Sequence, residues 1–341
     1  MHPDLERLAS ARSGVFTAQE ALGAGYRPDE IRAELSGHRW RRLRRGVYIR
    51  AADLELATRQ ARRHVLDCIA VLVSLRSGPV VSHASAARVH RLVLPDGVDD
   101  VVRLTDEVQW RRGRGYVVAR ASLPAGDVGP LGGFGVTTPA RTLVDCAREW
   151  DLVDSVVTLD AALHQGLVTR DQVQAAVLRA THWVGIGAAA RALGLADRRA
   201  ESPLETRGRL ALLGAGLPAP ELQVELRGPR GFVARVDACY EDAAVAIEFD
   251  GRVKYLDPAD GRHPGEVLWR EKRREDSIRE LGVRVVRLTR DDVGPSRRAE
   301  LARRIAPLLA GPPAGVRRFT VVRRGETSPG GDVDASSLPA S

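Results

Sequence analysis

The chain has 341 residues, 44% of them apolar, enough for two or three domains with their own cores. Its 52 Lys and Arg against 44 Asp and Glu give a formal charge of +8, which favours polyanionic partners over acidic or neutral ones. No long apolar run and no N-terminal hydrophobic segment occurs, so the chain is expected to be neither secreted nor membrane-spanning, with the cytoplasm as the default; Cys68, Cys146 and Cys239 lack C-x-x-C spacing and point to neither zinc nor a disulfide framework.

In chain order, Leu5 and Leu8 mark a first short helix, Thr17-Ala18-Gln19-Glu20 caps a second, and Pro28-Asp29-Glu30-Ile31 opens a third that ends near Gly37. Trp40 to Ile49 reads as a hairpin. Three short helices and a basic β-ribbon make a winged helix-turn-helix. Arg39, Arg41, Arg42, Arg44 and Arg45 would line the wing and contact DNA phosphates, against the plainer reading of a solvated basic edge. Gly14-Val15-Phe16-Thr17, Ala21 and Arg41 to Tyr48 resemble the N-terminal domain of AbiEi-type antitoxins of type IV toxin-antitoxin systems, which implies DNA binding and a cognate toxin as partner.

Leu56 to Leu75 is expected as one long helix, with Val65, Leu66, Ile69, Leu72 and Val73 on its apolar side. A short helix follows from Ser82, flanked by His83 and His90, which lack the neighbouring carboxylates that metal ligation would need. Strands are expected at Val101–Leu104 and Tyr116–Ala121. In Thr137 to Asp145, Thr138 is expected to cap a helix that has Pro139 in its first turn. This T-x-P-x-R-T-L-x-D run also resembles AbiEi-like proteins and reads as scaffold or partner surface. Helices to about Ala192 lead into a charged linker, Asp197–Ala200.

The C-terminal part reads as a helix capped at Ser202, a strand Leu222–Leu226, strands around Asp237 and Glu248, a helix Glu266–Leu281 and a strand Val283–Leu288. The order is α-β-β-β-α-β. By strict alternation Arg235, Asp237 and Cys239 share one face and Ala244, Ala246, Glu248 and Asp250 another. A tight turn at Glu241-Asp242, with Tyr240 opposite Ala243, makes these the same face and leaves Asp237 diagonal to Glu248, roughly 7 to 8 Å away. Two carboxylates so placed suit a hard cation, Mg²⁺ or Mn²⁺, with Asp237 and Glu248 as the metal ligands. They could equally pair with Arg235 across the hairpin, and Glu205, in the capping-box run Ser202-Pro203-Leu204-Glu205, could simply satisfy a backbone amide.

The element order and these residues resemble the restriction-endonuclease-like PD-(D/E)xK superfamily, and within it the branch related to very-short-patch repair endonucleases, over residues 201–291. Glu205, Asp237, Glu248-Phe249-Asp250-Gly251, Arg274, Gly282 and Arg287 fall on the branch's motif positions. Lys254 stands where the branch has His, and Asp250 where the superfamily has Lys. The chain's two lysines, Lys254 and Lys272, both lie in this segment and could supply a cation near a scissile phosphate, while Arg274 could contact the DNA.

The expected fold class is therefore α/β multidomain: a winged helix-turn-helix at 1–52, a mixed α+β middle region of AbiEi-like type at 53–198, a restriction-endonuclease-like domain at 199–312, and a mostly disordered tail at 313–341. The expected function is a DNA-binding protein with a Mg²⁺- or Mn²⁺-dependent endonuclease domain. The catalytic candidates are Glu205, Asp237, Glu248, Asp250, Lys254 and Lys272. The alternative is a non-catalytic AbiEi-like antitoxin or transcriptional regulator that retains a nuclease fold as a platform.

Overall fold

The computed structural model of the protein describes residues 1–75, 78–250, 264–312 and 315–323. It is a mixed α/β structure with three sheets, and it divides into two compact units at Asp197/Arg198. Residues 1–52, expected as a winged helix-turn-helix, and the middle region both lie in the first unit.

The first unit opens with α1 (Pro3–Ser10), β1 (Phe16–Thr17), α2 (Ala18–Gly23), α3 (Pro28–Ser36), β2 (Trp40–Arg44) and β3 (Val47–Arg50). The strands pair in the order β1-β3-β2. At the start of α2 the Thr17 hydroxyl accepts from the Glu20 amide while the Glu20 carboxylate accepts from the Thr17 amide, so two amides left over by the helix geometry are satisfied together. Trp40 is the centre of the small core, edge-on to Phe16 at 4.7 Å and 5.1 Å from the ring of Tyr26.

The single helix expected from Leu56 to Leu75 is two, α4 (Ala51–Arg59) and α5 (Arg63–Leu75). Ala61 between them has φ +54°, a left-handed conformation that cannot be continued as a helix. There follow β4 (Val80–Val81), α6 (His83–Val89), β5 (Val102–Asp106), β6 (Arg111–Gly113), β7 (Tyr116–Arg120), β8 (Val128–Leu131) and β9 (Phe134–Thr137). These strands form a six-stranded sheet in the order β6-β7-β5-β4-β9-β8, covered by Cys68, Val71 and Leu72 of α5 and Ala86 of α6. Strands β4, β6, β8 and β9 are two to four residues long, too short for alternation to show in sequence.

Four helices complete the unit: α7 (Pro139–Ala147), α8 (Leu152–His164), α9 (Arg170–Arg179) and α10 (Ile186–Leu195). Thr138 sits at the N-cap of α7 but its side chain makes no capping bond; instead the hydroxyls of Thr137 and Thr142 meet at 2.7 Å. The Arg and Asp of the T-x-P-x-R-T-L-x-D run lie one helical turn apart and are both buried. Arg141 bonds Asp145 at 3.0 Å and Asp127 at 3.1 Å, and its guanidinium lies 4.3 Å from the Trp183 ring centre. His83 and His90 have separate partners: His83 meets the Ser82 hydroxyl at 2.8 Å and, against the expectation of no carboxylate nearby, lies 3.5 Å from Glu149, while His90 meets the Thr137 carbonyl at 2.6 Å.

The second unit contains α11 (Pro203–Gly214), β10 (Glu221–Gly228), β11 (Gly231–Tyr240), β12 (Val245–Phe249), α12 (Pro264–Glu280), β13 (Arg284–Leu288), α13 (Arg298–Ala310) and β14 (Thr320–Val322). Its sheet order is β13-β12-β11-β10-β14, with only the β12–β13 pair parallel among its described pairs. Residues of α11 and α13 such as Leu212, Leu301 and Ile305 share one core with Leu222, Ile247 and Phe249, while Ile278 of α12 and Leu281 just after it share the other with Val224, Val236 and Ala246. Helix α13 and strand β14 add to the expected α-β-β-β-α-β order. Thr320–Val322, inside the stretch expected to be mostly disordered, pairs with β10 and so satisfies backbone groups on that strand's outer edge. The remainder of the tail, 313–314 and 324–341, lies outside the described residues.

Replacing Arg141 by Ala would strand the Asp127 and Asp145 carboxylates in the interior. The expected loss is about 3 to 5 kcal/mol in the unfolding free energy of the first unit, measured by urea titration. A change below about 1 kcal/mol would show that the pair is dispensable.

Candidate functional site

Two groups of residues bear on function, one in each unit. In the first, the wing hairpin carries its arginines on β2 and at its tip, with a bulge between Arg42 and Arg44 where the register to β3 shifts. The structure separates the five. Arg39 bonds the Glu34 carboxylate at 2.8 and 3.2 Å, and this bond holds its pKa above the usual value. Arg44 reaches across to the backbone oxygen of Arg114 at 2.8 Å. Arg41 meets only the His38 ring, at 3.2 Å, and Arg42 and Arg45 are exposed with no ion-pair partner among the described residues. Arg41, Arg42 and Arg45 are thus the wing charges available to a phosphate backbone. Helix α3 exposes Asp29 and Glu30, both near the Arg27 guanidinium, beside its one Arg, Arg32.

In the second unit the acidic residues gather where the sheet changes face. Gln223 in β10 has φ +53°, and its neighbours Leu222 and Val224 belong to different cores, as do Val236 and Ala238 on the facing strand. Strict alternation through Asp237 therefore fails, and Arg235 and Cys239 do not share a simple face with it. The turn is also longer than expected. Tyr240 pairs with Val245, not Ala243, and Ala238 with Ile247, so the next facing positions are Asp237 and Glu248. There the Asp237 carboxylate accepts the Phe249 amide at 2.8 Å.

Glu205 is buried beside this turnover. Its carboxylate accepts from the Glu201 amide at 2.9 Å, the Ser202 hydroxyl at 2.8 Å and the Gln223 side-chain amide at 2.9 Å. Ser202 caps the helix as expected, but Glu205 bonds the amide one residue before the cap. Burial raises its pKa above the usual 4.5; the three hydrogen bonds oppose this in part, and the Asp237 charge adds to it. Glu205, Asp237 and Glu248 are brought together. Asp250 lies further along and is 3.8 Å from Arg287, whose guanidinium also bonds Glu275 at 2.8 Å. Lys272 is an exposed residue of α12, and Lys254 lies outside the described residues.

The expected metal ligands are engaged with protein groups in this arrangement. The Glu248 carboxylate is held by Arg274 at 2.9 Å, and Arg274 also donates to the Arg235 carbonyl at 3.1 Å. Arg274, expected at a DNA phosphate, is therefore engaged inside the unit. Arg235, the alternative partner of Asp237 and Glu248, bonds Glu201 instead at 2.9 Å. A guanidinium thus stands beside Glu248 and another near Asp250, while Asp237 accepts a backbone amide, and no group of three His, Cys, Asp or Glu among the described residues is placed to hold a metal ion.

The middle of the first unit is where the chain meets a known family. Residues 81–195 match the AbiEi antitoxin C-terminal domain. The AbiEi match runs from Val81 in β4 to Leu195, the last residue of α10, and contains the Thr137–Asp145 run with its buried Arg141–Asp145 pair. Two uncharacterized proteins from two strains of Mycobacterium tuberculosis are each 37% identical over 157 residues, covering 46% of this chain and 55% of the relative. The chain thus spans about half the length of the curated relatives it matches. No described helix is long and apolar enough to cross a membrane.

Sequence reading did not pick out Gln223, because a left-handed residue inside a strand leaves no mark in hydrophobic periodicity. It also passed over the basic run Trp110 to Tyr116, which repeats the kind of residues found in the wing and was legible as such.

A carboxyl group whose pKa is raised on folding favours the folded state while protonated, so its stabilising contribution is lost as pH climbs from 4.5 through the raised value. Wild type is expected to lose stability relative to Glu205→Gln over that window in thermal melts at pH 4 to 8. Parallel curves for the two proteins would remove Glu205 as the titrating group.

Proposed function

We propose that this protein is a DNA-binding regulator of AbiEi antitoxin type, acting with a cognate toxin, and that its second unit serves as a binding platform. The observation that carries this reading is the match of residues 81–195 to an antitoxin domain, in the same compact unit as a winged helix whose wing exposes unpaired arginines. DNA binding of this kind is mostly electrostatic. Arg41, Arg42 and Arg45 contact phosphates and set the register of the protein on the duplex.

The arrangement in the second unit supports the platform role. The carboxylates of Glu248 and Asp250 face Arg274 and Arg287, a geometry that stabilises the sheet edge and neutralises the charge a cation would need. A second reading, DNA hydrolysis in a restriction-endonuclease-like domain, draws on one observation: the α-β-β-β-α-β order with Asp237 and Glu248 on facing positions. It requires a metal at Asp237 and Glu248, and calorimetry with Mn²⁺ is its test. A stoichiometric site lost in Asp237→Asn would favour the nuclease, and no site-specific heat would favour the platform.

For the regulator, binding of the full chain to a 30-bp duplex at several salt concentrations is the direct measurement. The triple variant Arg41→Ala, Arg42→Ala, Arg45→Ala is expected to lower the slope of log K against log salt by about 0.9 per lost phosphate contact. Arg39→Ala should change it little, because that guanidinium is held by Glu34. An unchanged slope in the triple variant would exclude the wing. Co-expression with the product of an adjacent toxin gene tests the antitoxin role, with restored growth as the expected result.

A further inference from the structure

We infer that the hairpin formed by β6 and β7 is a second DNA-contacting element, set beside the wing. This rests on the DNA-binding reading above and extends it to residues of the antitoxin-like region.

The two hairpins are built from similar sequence. Trp40-Arg41-Arg42 leads to an Arg45-Gly46 turn and then Tyr48; Trp110-Arg111-Arg112 leads to an Arg114-Gly115 turn and then Tyr116. Gly46 and Gly115 have φ +73° and +74°, a conformation that side chains other than Gly seldom adopt. The tips are clasped together. Arg44 of the wing donates to the Arg114 carbonyl at 2.8 Å, and its guanidinium lies 5.4 Å from the centre of the Tyr116 ring, with Arg111 6.0 Å from the same ring. Gly113 allows that ring to lie across the strand, since a Cβ there would come within 2.3 Å of it. The exposed Arg42 and Arg45 of one hairpin thus continue into the exposed Arg111, Arg112 and Arg114 of the other.

One difference separates the hairpins. Trp40 is 3% exposed and fills the winged-helix core, whereas Trp110 is 65% exposed and neighbours Val108 at 81%. The loop bearing them is held in place. The Asp106 carboxylate accepts the Val108 and Gln109 amides at 2.8 and 3.1 Å, and the Glu107 carboxylate accepts the Leu123 amide at 2.8 Å. Both acids are spent on backbone amides, and Arg111, Arg112 and Arg114 have no ion-pair partner among the described residues. Charges on an edge strand such as β6 discourage strand-to-strand aggregation, but an exposed Trp beside them works against that purpose. Arginines without counter-charges next to a preorganised, solvent-facing indole suit a nucleic acid: phosphate to guanidinium, base or sugar to the ring. The clasp to the wing assigns the hairpin to the duplex that the wing holds.

The test uses the full chain, a 30-bp duplex and a single strand of equal length. Arg111→Ala, Arg112→Ala, Arg114→Ala is expected to lower the salt slope for the duplex by about 2 to 3 with the melting temperature unchanged. Arg112→Ala, Arg114→Ala, which leaves the Arg111–Tyr116 contact in place, should lower it by about 2 and guards against a folding defect in the triple variant. Trp110→Ala is expected to weaken duplex binding about tenfold at constant slope, and Trp110→Phe to restore most of it. A normal slope in both hairpin variants, with the slope lowered in the wing variant, would overturn this proposal and leave the DNA-binding reading standing. If neither the wing nor the hairpin variants alter the slope, both fall. A loss confined to the single strand, or a Trp110→Ala protein with wild-type affinity, would overturn the assignment of the hairpin to duplex DNA through its indole.

Discussion

Pairing of guanidinium groups with carboxylates inside each unit decides which of the many arginines remain for a partner. A buried carboxylate without a counter-charge is costly, and at several places where the fold draws Asp or Glu inward an Arg is placed against it. Arg141 between Asp127 and Asp145 is the fullest case, with Trp183 covering the guanidinium face. Arg274 on Glu248 and Arg287 near Asp250 do the same in the second unit. Among the arginines left over are Arg42 and Arg45 of the first hairpin and Arg111, Arg112 and Arg114 of the β6–β7 hairpin, whose charge reaches solvent without an ion-pair partner among the described residues.

That sorting changes the meaning of the acidic cluster. Carboxylates on adjacent strands need a counter-charge, and here Arg274 supplies one to Glu248 from a helix packed on the sheet. Glu205 is held differently, by three hydrogen-bond donors in a buried setting that favours its protonated form. The turnover of the sheet at Gln223 brings these groups together, and a left-handed residue inside a strand persists only where its surroundings hold it. The Gln223 side-chain amide bonded to Glu205 is one such support.

The first unit shows a related economy of parts. Two short hairpins, each ending in an Arg-Gly turn, are joined by Arg44, whose guanidinium is engaged by a backbone carbonyl and an aromatic face. Placement of the antitoxin-like match in the same unit ties that surface to the region named for antitoxin function.

Local chemistry was legible in the residues themselves. The T-x-x-E cap at Thr17, the Ser202 helix start, the basic hairpin and the likeness of Thr137–Asp145 to AbiEi proteins all depend on neighbours within a few positions, and such signals survive in sequence. What sequence could not settle were the contacts made across the chain. A two-residue change in the turn after Tyr240 set Asp237 opposite Glu248, and Ala61 divided a helix that its apolar pattern would have carried through. Whether an Arg faces water, a carboxylate or a distant carbonyl depends on which elements pack beside it. Arg44 and Arg45 are adjacent in sequence, yet only tertiary structure gave one of them to Arg114 and left the other exposed, because side-chain reach across some seventy residues of chain is a property of packing and not of composition.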